Sequence, residues 1–113
     1  MNDTGAVFVY ITAADREAAL GLGRALVEER LAACANVIGG MESVYWWEGK
    51  LEQSREAVLI LKTRAGLVEA LTERVRALHA YDCPCVVALP IVGGNPDYLA
   101  WIAAETEATA AGE

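Results

Sequence analysis

The chain has 113 residues, of which 55% are hydrophobic, and nine Lys and Arg against sixteen Asp and Glu give a net charge of −7. The length leaves room for one domain, and the negative charge argues against binding to nucleic acid. The longest apolar stretch, residues 6–14, is interrupted by Thr12 and is shorter than the roughly 20 residues of a membrane-spanning helix. Because a mean hydropathy of +0.28 is high for a small soluble monomer, the composition predicts an obligate oligomer.

The first residues and the cysteines bear on the compartment. Residues 1–5 contain no Lys or Arg, whereas a secretory signal begins with a positively charged region. Three cysteines are an odd number and too few for a disulfide scaffold, and cytosolic thiols normally stay reduced. We therefore expect a cytoplasmic protein.

The first third of the chain predicts a strand followed by a helix. Residues 7–11 form a β-branched and aromatic run that is typical of a buried strand. Residues 12–15, Thr-Ala-Ala-Asp, offer a hydroxyl and a carboxylate to the free N–H groups at a helix start. The helix is predicted to continue to about Leu31, and its apolar face comprises Ala18, Leu22, Ala25 and Leu26.

A long β-hairpin is predicted next. Residues 34–47 are typical of extended structure that is interrupted by the Gly-Gly pair at 39–40. Residues 48–50 indicate a turn, and residues 51–53 begin the return strand. Residues 57–61 are apolar at every position, which predicts a strand that is buried on both faces.

This hairpin is too long for a compact monomer. Seventeen extended residues, 34–50, span roughly 55 Å, whereas a domain of this size is about 35 Å across. The hairpin must therefore project beyond the core or bend sharply at its Gly-Gly pair. Its tip carries Tyr45, Trp46 and Trp47, which predicts an exchange of strands between like subunits. Packing of these rings within their own chain is the alternative.

The second half of the chain predicts a helix, an edge strand and a closing helix. Four apolar side chains recur at helical spacing: Leu67, Leu71, Val75 and Leu78. Residues 86–92 form a last strand whose Pro90 indicates a sheet edge, and residues 97–104 form a closing helix. From about 106 to 113 we expect a flexible tail. The order βαββαβ with a terminal helix predicts a ferredoxin-like α+β sandwich.

One segment gathers most of the reactive side chains. Residues 79–85, His-Ala-Tyr-Asp-Cys-Pro-Cys, hold the only His and two of the three Cys. If Cys83 and Cys85 lie on extended backbone, their thiols share one face. Thiolate with imidazole suits Cu(I), Zn(II) or, with a carboxylate, Cu(II). The candidate metal ligands are His79, Cys83 and Cys85, with Cys34 as a fourth.

The same segment also allows a purely structural interpretation. His79 would then lie at the negative end of a helix dipole, and the thiols would be small packed side chains. The spacing does not match a zinc finger, which uses two pairs of ligands. A Cys–His nucleophile pair would need an oxyanion hole, for which the chain has no motif, and no cofactor fingerprint is present. We therefore expect no enzymatic activity.

Five segments together resemble the CutA family of divalent-cation tolerance proteins. They are Ala33–Ile38, Ser43–Lys50, Leu61–Thr63, His79–Pro84 and Tyr98–Ile102. The resemblance covers residues 7–105 and indicates one CutA-like domain over residues 1–113. It implies a ferredoxin-like fold, a homotrimer held by long exchanged hairpins, and binding of divalent metals, especially copper. It also implies an architecture similar to that of the trimeric PII signalling proteins.

The chain departs from the family pattern in its reactive segment. The family typically has His-Pro-Tyr-Glu-x-Pro-Glu there, and this chain has Ala80, Asp82 and Cys85 at the second, fourth and seventh positions. The family's metal ligands carry over to His79 and Cys34, but the last Glu is replaced by the Cys85 thiol. This replacement either softens the site toward Cu(I), which the adjacent Cys83 favours, or abolishes it.

The sequence therefore predicts a homotrimer that binds a divalent or soft transition metal and acts in cation tolerance or metal response. We expect the site in a cleft between subunits near the reactive segment, lined by Tyr81, Asp82 and Lys62. The alternative is a PII-like module that senses a small anion or metabolite, for which Lys50, Lys62 and Arg64 would supply positive charge. A scaffold that presents its surfaces to a partner protein is a third interpretation.

Overall fold

A computed structural model describes residues 4–107 of the chain. Four strands and three α-helices follow one another in the order βαββαβα. They are β1 (Ala6–Ala13), α1 (Arg16–Glu28), β2 (Cys34–Trp47), β3 (Lys50–Arg64), α2 (Val68–Leu78, entered through a 3-10 turn at Ala65–Leu67), β4 (Val86–Pro90) and α3 (Pro96–Glu105). No helix in the described range is long and apolar enough to cross a membrane.

The four strands form one antiparallel sheet in the order β2-β3-β1-β4. This is the predicted ferredoxin-like α+β topology. β4 lies at the sheet edge, as Pro90 indicated, but it ends at Pro90 and does not continue to residue 92. α3 begins at Pro96, because the Asn95 side chain accepts a hydrogen bond from the Asp97 N–H and caps the helix start.

The core lies between α1, α2 and one face of the sheet. Alternate residues of the two central strands, such as Ile11 in β1 and Leu59 in β3, pack against Leu26 of α1 and Val75 of α2. All four side chains are fully buried. The prediction that residues 57–61 are buried on both faces holds except at position 60, which is half-buried on the opposite face.

Helix α1 differs from its prediction at both ends. Its start is capped by Asp15, whose carboxylate accepts the Ala18 N–H at 2.8 Å, whereas Thr12 remains in β1. The helix ends at Glu28, three residues before Leu31, because Arg30 adopts a left-handed conformation with φ 63°. The predicted apolar face was wrong in part: Ala18 is exposed and Ala25 half-buried, and the buried side comprises Ala19, Leu22, Gly23 and Leu26.

The hairpin of β2 and β3 both bends and projects. A register shift between Ile38 and Met41 marks a bulge at the Gly-Gly pair, where Gly40 has φ 76°. A two-residue turn at Glu48 and Gly49, with φ 52° and 80°, joins the strands. Residues 50–56 of β3 pair only with β2, so about 20 Å of the hairpin extends past β1. All three tip aromatics are exposed: Tyr45, Trp46 and Trp47.

The chain after α3 is anchored where the sequence predicts the start of a flexible tail. Thr106 is fully buried, and its carbonyl oxygen accepts a hydrogen bond from Arg64 Nη2 at 2.6 Å. Its hydroxyl accepts a second bond from Arg64 Nε at 3.0 Å. Residues 108–113, the rest of the expected tail, lie outside the described residues.

Replacement by alanine should have opposite effects on stability at two glycines of α1. A Cβ at position 23 would lie 3.0 Å from both Ala35 Cβ and Leu59 Cδ1, whereas one at position 21 would meet nothing within 4 Å. We expect Gly23→Ala to lower the free energy of unfolding by roughly 1–2 kcal/mol through overpacking. Gly21→Ala should raise it by about 0.5–1 kcal/mol through helix propensity. Urea denaturation at equal chain concentration measures both, and equal effects of the two variants would contradict the close packing of α1 on the sheet.

Candidate functional site

His79 follows the last residue of α2 and has hydrogen-bond partners on both ring nitrogens. Nε2 lies 2.8 Å from the Thr12 carbonyl oxygen, and Nδ1 accepts the Tyr81 N–H at 3.0 Å. Since a carbonyl can only accept, Nε2 carries the proton and the imidazole is neutral. This arrangement matches the structural interpretation, and a metal would reach Nδ1 only after the Tyr81 N–H had moved away.

Tyr81 connects this segment to the hairpin. Its ring lies 4.5 Å from that of His79, and its hydroxyl donates to Glu56 Oε2 at 2.7 Å. Partial burial, and then the hydrogen bond and negative charge of Glu56, raise the pKa of Tyr81 to about 12. The phenol is therefore protonated at neutral pH.

Glu56 also acts on the thiol of Cys85. Partial burial, followed by the Glu56 charge, raises the pKa of Cys85 above its ordinary value. Cys85 and Cys83 are both free and exposed. The structure therefore places two thiols and a carboxylate at one end of the sheet. The sequence prediction missed Glu56, although its position next to the apolar run 57–61 marks the end of the central strand.

Cys34 lies far from the other candidate ligands. It pairs with Lys62 in the sheet, in the same row as Phe8, whereas Cys85 precedes Val86, the partner of Ile11. Four residues along the strands and three strands across separate the two cysteines by about 20 Å. In the described part of the chain, no group of three or more His, Cys, Asp and Glu side chains could hold a metal ion.

Lys62 belongs to the Cys34 end and does not line the same cleft of the chain as Tyr81. Its Nζ donates to Asn36 Oδ1 at 2.6 Å, and the Cys34 thiol lies 3.8 Å from that oxygen. None of the ion pairs found between residues 4 and 107 involves Lys62. Asp82 is exposed.

A cavity of about 280 Å³ lies beside His79. Small or apolar residues of α1 line one side, including Ala18, Gly21 and Ala25, and residues 78–81 line the other. His79 and Tyr81 supply most of its polar character. On the helix side, the cavity therefore reaches residues 79–81 of the reactive segment.

The strand order and the single antiparallel sheet place the chain among ferredoxin-like α+β proteins. The crystal structure of CutA1 from Oryza sativa superposes with a TM-score of 0.89 at 48% identity, covering 95% of this chain and 98% of that one. A family model for the CutA1 divalent ion tolerance protein matches residues 7–105. The chain therefore belongs to the CutA1 divalent ion tolerance protein family.

Curated relatives agree with this assignment. The divalent-cation tolerance protein CutA of Thermus thermophilus is 46% identical over 98 residues, which are 87% of this chain and 95% of that protein. The chloroplastic protein CutA 1 of Oryza sativa is 52% identical over 96 residues, 85% of this chain. The chain spans about half the length of that plant relative, 54%.

The contact between Tyr81 and Glu56 predicts a shifted phenol titration. Absorbance of the phenolate, taken as the difference from Tyr81→Phe, should give a pKa near 12 for the wild type. Glu56→Gln should lower this pKa but leave it above 10.0, because burial, the largest cause, remains. Glu52→Gln, which changes another hairpin carboxylate, serves as the control. A pKa unchanged in Glu56→Gln would contradict the hydrogen bond.

Proposed function

We propose that this protein is a homotrimer that binds a divalent or soft transition metal, copper in particular, and acts in cation tolerance and metal response. The observation that carries the proposal is the pair of exposed thiols, Cys83 and Cys85, beside the Glu56 carboxylate. The family assignment supports the tolerance role, because relatives are named for it. Binding, with no catalytic step, is the proposed activity.

Self-association is supported by the sheet face opposite α1 and α2, which we call the open sheet face. It carries Phe8, Tyr10, Ile60, Val87 and Leu89, placed there by the strand register. Among the described helices, only α3 packs against β1 and β3 from outside the main core. Val87 and Leu89 remain about half exposed, so this apolar face favours contact with further copies of the chain.

The projecting hairpin supports association of more than two copies. Successive residues of a strand point to opposite faces, so Trp46 and Trp47 present apolar surface on both sides of the hairpin. Trp46 is 73% exposed. A hairpin with two apolar sides needs a neighbour on each, as an exchanged hairpin in a closed ring of subunits has.

The donor set favours a soft metal. Thiolates select Cu(I), and the thiols of Cys83 and Cys85 are free and exposed. Glu56 is near enough to affect Cys85 electrostatically but does not complete a three-ligand group with the two thiols, and His79 would first have to give up its bond from the Tyr81 N–H. One chain does not bring Cys34 to these groups, so any contribution from Cys34 would come from another subunit. Three free cysteines also fit the proposed cytoplasmic location.

A substitution on the open sheet face tests the assembly. Leu89 in this face and Leu20 on α1 are 49% and 48% exposed, so they are matched in type and exposure. We expect the wild type to sediment at three times the 12.1 kDa chain mass, Leu89→Asp to dissociate, and Leu20→Asp to remain assembled. Circular dichroism confirms that each variant is folded. A monomeric wild type would contradict the proposal.

A competition titration tests the metal site. The reduced protein should bind one Cu(I) per chain against a Cu(I) chelator. The Cys83→Ser, Cys85→Ser double variant should lose at least about tenfold in affinity, because both soft ligands are gone. Cys34→Ser should keep the wild-type affinity, since Cys34 lies at the other end of the sheet. Equal affinities in all three proteins would exclude the thiol site.

Anion sensing is the second candidate and has less support. A cavity of about 480 Å³ near the start of α1 contains Arg16 and Arg55, but Asp15, Glu17 and Glu56 line it as well. Arg55 is also paired with Glu42 at 2.9 Å. The three cations that the sequence indicated lie apart: Lys62 beside Cys34, Arg64 bonded to Thr106, and Lys50 at the hairpin tip. Binding of a phosphate-bearing metabolite that is lost in Lys62→Ala and retained in Cys83→Ser would favour this function.

A further inference from the structure

Cys83 and Cys85 form a pair of closely spaced thiols at the entrance to β4. They are separated by one residue, Pro84, and both are free and exposed. We propose that they act as a dithiol that reduces Cu²⁺ to Cu⁺ and closes to a disulfide. This inference rests on the proposed function in one respect only, that copper reaches these thiols.

The covalent chain keeps the two sulfur atoms within reach of each other. Residues two apart cannot lie more than about 7.2 Å from Cα to Cα. Disulfides join Cα atoms 4.4–6.8 Å apart, so a slight bend brings this pair into range. Cys83 lies in a bend outside the strands, and Cys85 is held next to Val86, the first residue of β4. Closure therefore requires movement of the Cys83 side alone, with β4 left in place.

No other pair of thiols within one chain can react in this way. Cys34 lies about 20 Å from Cys85 across the sheet. It is also only partly exposed and lies beside Asn36 and Lys62. Each chain therefore has one dithiol and can deliver two electrons without a second chain.

The reaction balances with copper as the oxidant. Two thiols and two Cu²⁺ ions give one disulfide, two Cu⁺ ions and two protons. Each S–H bond breaks, each sulfur gives one electron to a copper ion, and the new S–S bond joins Cys83 to Cys85. The two protons pass to water. The step is stoichiometric and consumes the dithiol.

The reaction would release copper from the site as Cu⁺. Reduction makes Cu⁺, the ion that thiolates prefer, but it removes the two thiols that would hold it. The oxidised chain should thus bind copper more weakly than the reduced chain. The thiol that replaces the family's carboxylate at position 85 adds a redox reaction that a carboxylate cannot perform.

The test uses the reduced full chain without oxygen, aqueous copper sulfate and a chromogenic Cu⁺ chelator. We expect two Cu⁺ per chain at every protein concentration, a mass decrease of two hydrogen atoms, and a Cys83–Cys85 link in the peptide map. Cys34→Ser should give the same yield. Cys83→Ser and Cys85→Ser should each give at most half of it, at a rate that depends on protein concentration, with disulfide-linked dimers on a non-reducing gel.

Two results overturn the proposal: no Cu⁺ from the wild type beyond that from the double variant, or a disulfide that involves Cys34. Cu⁺ affinity is measured in parallel on reduced chain that receives Cu⁺ in place of Cu²⁺, so the outcomes separate. Tight Cu⁺ binding without reduction overturns the dithiol reaction and leaves the metal-binding function standing. Reduction of Cu²⁺ by a chain whose reduced form does not bind added Cu⁺ overturns the binding function and leaves the dithiol reaction standing.

Discussion

The structure depends on how the two faces of a single four-stranded sheet are covered. Helices α1 and α2 cover one face over its two central strands, and this packing accounts for the fully buried side chains of β1 and β3. The open sheet face carries apolar side chains as well, yet α3 is the only described helix that packs on the sheet apart from that core. A chain of this composition therefore has more apolar surface than its own helices can bury.

The hairpin follows from the same constraint. β2 and β3 continue well past β1, so their outer parts have no third strand and no helix to cover them. The bulge at residues 39–40 re-aims the hairpin, and Arg16 of α1 packs so closely over Gly39 that a Cβ there would meet its side chain. The bend of the hairpin thus arises within its own chain, and the aromatic side chains at its tip are exposed.

Much of the fold could be predicted from the sequence, because the periodicity of apolar residues depends directly on burial. The runs at 7–11 and 57–61 became the two central strands, and the Gly at position 49 marked the turn. The end of α1 could not be predicted, since it depends on a left-handed Arg30, a conformation that a non-glycine residue seldom adopts. The buried face of α1 differs from the predicted one because alanine is equally compatible with core and solvent, so the alanines of this helix do not mark its buried side.

The candidate site was predictable only in part. Residues close in sequence, from 79 to 85, remain close in space, so their grouping required no knowledge of the fold. The positions of Cys34 and Glu56 depend on the strand register. Within one chain, the register places Cys34 far from the segment 79–85 and brings Glu56 near Cys85. The two nitrogens of His79 could not be assigned either, because their partners are backbone groups of Thr12 and Tyr81.

Native mass spectrometry of the reduced protein after loading with Cu(I) tests the central claim most directly, because one spectrum gives both the number of chains and the number of metal ions. We expect an assembly of three chains that carries one copper ion per chain. A single chain without copper would contradict both the role of the open sheet face and the role of the thiols at its end.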